Sequence, residues 1–197
     1  VNLEEYDEWK DNLDFIPDLI RMLDNVITHF CDTAPPELEK AVNSAKSERS
    51  LGLGAMGFHA YLQRHNVPFE SAMAKGRNIK MFKHIKGEAL NATRQLAKER
   101  GSCPDGSSAG VRNAHLLAVA PNASSSIICG NTSPSIEPYR ANAFTQKTKS
   151  GSSLLKNEYL EHALQELGQD TDDVWKSIIT NGGSVQHLDF LDEWTKE

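Results

Sequence analysis

AHLLAVAPNASSSIICG, residues 114–130, is an apolar run that meets a proline and then a cluster of small hydroxyl side chains. The run 114–120 is bounded by Asn113 and Pro121. Its length and boundaries predict a buried strand, parallel and covered on both faces. Pro121 ends the strand, because proline cannot donate to a ladder. SSSIICG then starts a short helix. A strand that hands over to a helix is a place to hold an anion: the first helical amides lack internal partners, and the helix dipole adds partial positive charge there. Pro121, Asn122, Ala123, Ser124 and Ser125 therefore carry the parts of a phosphate cradle. The amides of Ala123, Ser124 and Ser125 would face the ligand, with hydroxyls from Ser124 and Ser125 and a third available at Ser126. No lysine stands in the loop, unlike a Walker A motif. The same residues also read as a plain helix start, with Asn122 or Ser124 as the cap. Capping and anion binding compete for the same amides, so the motif leaves both readings open.

Upstream, Leu13, Ile16, Ile20, Leu23, Ile27 and Phe30 recur at three- and four-residue steps and predict a helix over 12–31. APPELEK breaks and restarts the helix, with Pro36 in its first turn and Glu37 and Glu39 at the positive end. In SLGLGAMGF, Gly52, Gly54 and Gly57 match G-x-G-x-x-G. A dinucleotide site needs a strand after the next helix, and here the helix FHAYLQRH is followed by a second, long helix. Glycines that admit a close backbone approach are the better reading. The long helix covers 70–100, with Phe82, Ile85, Ala89, Thr93, Leu96 and Ala97 as its buried stripe and Gly101 as its stop. GSCPDGSSAG is a loop. Past Pro138, YRANAFTQKTKSGSS reads as polar and irregular, and the rest as two or three helices broken near GQD and NGG. The organisation expected is one partial domain over 1–197. Within it, 1–100 is mostly helical, 112–150 holds the strand, phosphate loop and short helix, and 151–197 is helical.

A chain of 197 residues, 39% hydrophobic, suits one domain with a sizeable core or a large piece of a bigger one. A net charge of −6 with no basic tail or Lys/Arg block gives no footprint for duplex nucleic acid. The acidic stretch EEYDEW reads as a solvated helix start. No apolar run approaches a bilayer's thickness, and no signal peptide opens the chain. Cys31, Cys103 and Cys129 are widely spaced, without CxxC or zinc spacing, which fits a reducing, cytoplasmic setting. The seven histidines share no metal spacing and read as structural or exposed. The abrupt start at Val1 and the end within DEWTKE suggest a piece of a longer protein.

RSLGLGAMGFHAYL (49–62), QLAKERGSCP (95–104) and RNAHLLAVAPNASSSIICGNTSPSIEP (112–138) together resemble the large subunit of ribonucleotide reductases. There R-x-L-G-[IL]-G, an apolar strand, P-x-x-[ST]-[ST] and I-E-P occur in this order. VNLEEYDEW and FTQKTKSGSSLLKNEYLEHAL look like the class I, phage-type branch, so the resemblance covers essentially the whole chain. It implies an α/β fold, part of a ten-stranded barrel of two parallel five-stranded halves set antiparallel, with this chain in the second half. It implies the phosphate-binding role for Pro121, Asn122, Ala123, Ser124 and Ser125. Ala123 departs from a Glu that some members hold, which leaves only its backbone amide for contact. It implies a ribonucleoside-diphosphate reductase, an oxidoreductase of deoxyribonucleotide synthesis.

The family's thiyl-radical cysteine, its reducing cysteines and its relay tyrosines find no counterpart here. Cys31, Cys103 and Cys129 do not align with them and read as ordinary semi-buried thiols. By the same resemblance no cofactor is bound by this segment. The complete enzyme implies a radical source (a small-subunit metal centre, or cobalamin in related classes) and a dithiol reductant. Implied partners are the ribonucleotide substrate, the N-terminal part of the large subunit with its ATP-dependent allosteric domain, the small subunit and a second large subunit. Neither nucleic acid nor membrane is implied. The residues alone also allow a non-catalytic phosphate- or nucleotide-binding module, or a helical interaction fragment.

Overall fold

The computed structural model describes residues 1–148 and 151–197, which form two compact units. The first comprises Val1–Ala55 and Gly76–Pro121, the second Met56–Lys75 and Asn122–Glu197. In the first unit, helix α1 (Tyr6–Trp9) precedes α2 (Phe15–Thr33). Ile16, Ile20 and Asp24 are buried one turn apart along α2. Leu13, expected on that stripe, lies ahead of the helix and is 76% exposed. A 3-10 turn at Pro36–Leu38 leads into α3 (Glu39–Glu48), with Pro36 at the first position as expected. Helix α5 (Ala72–Arg100), whose first residues belong to the second unit, buries Met81, Ile85, Ala89, Ala92, Thr93 and Leu96. Gly101, at φ 84°, stops it and donates its N–H to Ala97 O.

The segment 114–120 is extended and its pairing is parallel, as its composition predicts. Leu51 N–H donates to His115 O, Leu53 N–H to Leu116 O, and Ala118 N–H to Leu53 O, at 2.9, 2.9 and 3.2 Å. A Cβ on Gly52 would lie 3.2 Å from the Ala118 Cβ, so one glycine of the G-x-G-x-x-G serves close backbone approach. The expected burial on both faces is not found: Val119 is 70% exposed, and His115 and Ala118 are exposed too. A parallel strand is buried by neighbouring strands and by helices on both faces. The described residues pair this one only with the short segment around Leu53.

What holds the two extended segments is polar. Asp24 is fully buried and takes Arg49 Nε at 2.8 Å and Asn113 Nδ2 at 3.0 Å on one oxygen. Arg100 Nη1, at 2.9 Å, reaches the other, and Arg112 Nε approaches to 3.4 Å. Asn113 also donates to Arg49 O and exchanges two hydrogen bonds with Thr93 of α5. Arg49 sits at φ 46°, a left-handed conformation uncommon for a side-chain-bearing residue. Burial pushes the Asp24 carboxyl up, and the hydrogen bonds and charges of Arg49, Asn113 and Arg112 more than offset it, holding it below the usual carboxylate range.

In the second unit, α4 (Phe58–Arg64) starts at Gly57, φ 82°, whose N–H donates to Ser133 O at 2.7 Å. Helix α6 (Ala123–Ile128) is followed by β1 (Ala143–Thr148) and β2 (Gly151–Lys156). These two strands form an antiparallel hairpin, with Ala143 opposite Lys156 and Thr148 opposite Gly151. Residues 139–142 are irregular as expected, but the strands correct the expectation of irregular chain over the rest of 139–153 and of helix from 151 onward; Lys149 and Ser150 lie outside the described residues. The segment lacks clean alternation, and its pairing comes from packing. Ala143 is buried in one cluster with Leu160, Leu164, Trp175, Ile178, Val185, Leu188 and Leu191. Helices α7 (Glu158–Glu166), α8 (Asp172–Thr180) and α9 (Glu193–Lys196) fill the rest, breaking at the two predicted places. Asn157, Thr171 and Asp192 cap them with their side chains.

Candidate functional site

Asn122 adopts φ 52° immediately before α6, a conformation asparagine tolerates better than most residues. Its carbonyl accepts the first helical bond, from Ser126 N–H at 2.9 Å. Its side chain makes no cap hydrogen bond to the helix. The amides of Ala123, Ser124 and Ser125 have no protein partner among the described residues, and all three residues are exposed. Asn122 through Ser125 thus come together as one open first turn, and Pro121 just before it is exposed. Ser126 departs from expectation. It is buried, and its hydroxyl donates to Ala123 O at 3.2 Å, so it is turned inward and spent.

The chain then folds back behind α6. Thr132 N–H donates to Ser126 O at 3.1 Å, and Tyr139 hydroxyl to Asn131 O at 2.9 Å. Thr132, Ser133 and Ser135 are buried, and the hydroxyls of Thr132 and Ser135 have no hydrogen-bond partner among the described residues. Such orphaned buried hydroxyls cost stability. Nothing in their sequence, small hydroxyl residues on either side of Pro134, marks them as interior.

A cavity of about 490 Å³ lies elsewhere in the second unit, lined among others by His59, Gln63, Tyr159, His162, Glu166 and Trp194. None of Asn122, Ala123, Ser124 and Ser125 lines it. His59 packs edge-on to Phe69 and Tyr139, with ring centroids 5.6 and 5.5 Å away, and its Nδ1 accepts the Tyr139 N–H at 3.2 Å. Burial pushes its imidazole down to about 4. Because the folded-state value lies below the unfolded one, the unfolded chain takes up the extra proton. Stability is full above pH 6.5 and drains as pH falls towards 4. The loss should be up to about 3 kcal/mol. Urea denaturation across this pH range checks it: His59→Gln, which keeps an acceptor for Tyr139, should flatten the slope.

Among the described residues no three His, Cys, Asp or Glu side chains converge as metal ligands, and no helix is long and apolar enough to cross a membrane. Cys31 is half-buried, as expected of a semi-buried thiol, whereas Cys103 is buried and Cys129, just after α6, is exposed.

Residues 1–109 and 104–197 match the family model described as ribonucleotide reductase, barrel domain. The chain is 52% identical over 200 residues to the putative ribonucleoside-diphosphate reductase large subunit of Frog virus 3, covering all of this chain and 35% of that protein. It is 51% identical to the large subunit of Invertebrate iridescent virus 6, over 95% of this chain and 20% of the relative. Among solved structures, the class Id ribonucleotide reductase alpha subunit of Actinobacillus ureae superposes with a TM-score of 0.88 at 40% identity. That match covers 99% of this chain and 36% of the other. The chain thus spans about a third or less of these relatives, and along its whole length it belongs to the ribonucleotide reductase barrel-domain family.

Proposed function

We propose that this chain is the phosphate-holding part of a ribonucleoside-diphosphate reductase large subunit, an enzyme that reduces ribonucleotides to deoxyribonucleotides. The observation that carries the reading is the open first turn of α6: three exposed, uncapped amides with the Ser124 and Ser125 side chains beside them. Oriented N–H groups at a helix start suit a diphosphate. In the complete enzyme a cysteine radical takes the 3′-hydrogen of the ribose, water leaves from C2′, and a cysteine pair delivers the reducing electrons. Asn122, Ala123, Ser124 and Ser125 make or break no bond in this scheme. They fix the diphosphate, and with it the ribose, and such positioning can supply several powers of ten in rate.

The partners proposed are a small subunit as radical donor, a dithiol reductant, the remainder of the large subunit and a second copy of it. Among the described residues no His, Cys, Asp or Glu side chains converge as the donor set of a radical-generating metal centre. Three unpaired cysteines accord with a cytoplasmic setting.

In the complete enzyme, Ser124→Ala combined with Ser125→Ala should raise KM for the diphosphate substrate by roughly tenfold or more, as loss of hydrogen bonds to a charged group predicts. The melting temperature should hold, because both side chains are exposed. Steady-state kinetics decides it, and an unchanged KM would overturn the assignment.

A further inference from the structure

Helix α5 carries eight cations and two carboxylates, a net +6, in a chain whose total is −6. The cations are scattered in sequence, and only the helix gathers them. Lys80, Lys83 and Lys86 follow at three-residue steps. Arg94 lies about three turns beyond Lys83, and Lys98 about five turns beyond Lys80, on the same side. All five are exposed, and none has an ion pair among the described residues. The two acids lie off this side: Glu99 is engaged by Arg21 at 2.7 Å, and Glu88 lies between the ridge and the buried stripe. Ile79, 57% exposed, lies one turn before Lys83 and two before Lys86.

A helix face of like charges repels itself, and without counter-charges it lowers helix stability. We propose that this ridge, from Ile79 to Lys98, docks an acidic protein segment, a helix or strand bearing Glu or Asp around an apolar anchor that covers Ile79. Charge complementarity sets the sign of the partner. The exposed isoleucine and the absence of any aromatic residue on the ridge favour protein over nucleic acid, which would ask for stacking surfaces or a purely polar phosphate track. A chain of net −6 also repels a polyanion as long as a duplex.

The test uses the protein with a fluorescein-labelled Glu/Leu peptide of about 18 residues, which as a helix would match the ridge's length. Fluorescence anisotropy should show binding at about 50 mM salt that weakens roughly tenfold by about 300 mM, as exposed charges are screened. Lys80→Glu with Lys83→Glu and Lys86→Glu should weaken it at least as much. Ile79→Ser should weaken it further, and Lys40→Glu, an exposed change on α3, should not. The triple Lys→Gln variant settles the matter should the charge reversal fail to fold. Undiminished binding by a triple variant with native circular dichroism would overturn the proposal. So would a mixed-sequence DNA duplex displacing the labelled peptide more effectively than the unlabelled peptide does.

Discussion

Asp24→Ala should destabilise the first unit by about 3–5 kcal/mol, enough to unfold many single domains, because it strands a buried charge. The Arg49 guanidinium is 8% exposed and would keep one acceptor at the Asp24 backbone carbonyl and one at the Thr28 hydroxyl, with no counter-charge on Nε. Asn113 would lose a partner at the head of the extended segment 114–120. The contrast is Glu99→Ala. Glu99 holds Arg21 with two hydrogen bonds of 2.7 and 3.1 Å, but both side chains are exposed, and the denaturation midpoint should hardly move. Urea titration of both variants checks the pair. Equal effects would mean that burial does not set the strength of the Asp24 cluster. Because the Asp24 carboxyl is held below its unfolded value, its contribution is present above the ordinary carboxylate range and fades as pH falls through the folded-state value.

Asp24 also marks where the sequence stops being legible. The apolar steps at Ile16 and Ile20 are local, so the helix and its inner face could be read from spacing. The next inner position is a carboxylate whose partners lie 25 to 89 residues away, and no local pattern announces them. The long helix and its glycine stop were legible for the same reason as α2. The hairpin was not, because its pairing answers to the cluster around Trp175 and Leu164 and not to its own composition. At the candidate site, PNASSS could be read as a strand-to-helix turn, since that handover is a matter of neighbouring residues. Whether its amides are capped or open depends on the Asn122 backbone and on which way Ser126 turns, and Ser126 is held by a bond from Thr132 N–H of the returning segment to its carbonyl. His59 lay beyond reach as well: its environment is assembled from Phe69 and from Tyr139, 80 residues on.

Gly183→Ala should be the most damaging single-methyl change in the second unit, and Gly182→Ala beside it should be mild. Both glycines sit in the left-handed region, at φ 87° and 68°, so each alanine incurs a conformational cost of roughly 1–2 kcal/mol. The difference lies in what the new Cβ meets. At Gly182 it meets nothing within 4 Å. At Gly183 it would overlap the Ala141 Cβ and lie 2.9 Å from the Ala141 Cα, contacts with backbone-fixed atoms that no rotamer change relieves. Gly183 is also the joint of the unit. Its N–H closes the end of α8 on Ile178 O at 2.8 Å, and its carbonyl accepts from the Asn142 backbone and side chain at 3.2 and 3.0 Å, just ahead of β1. Relief of the overlap must push Ala141 and Asn142 away, and with them the buried Ala143 that follows. Overpacking of this kind adds about 1–3 kcal/mol, for a total near 2–5 kcal/mol against 1–2 for its neighbour. Thermal denaturation of the two variants separates them. Equal losses would show that left-handed strain alone governs this turn and that the chain around Ala141 yields freely.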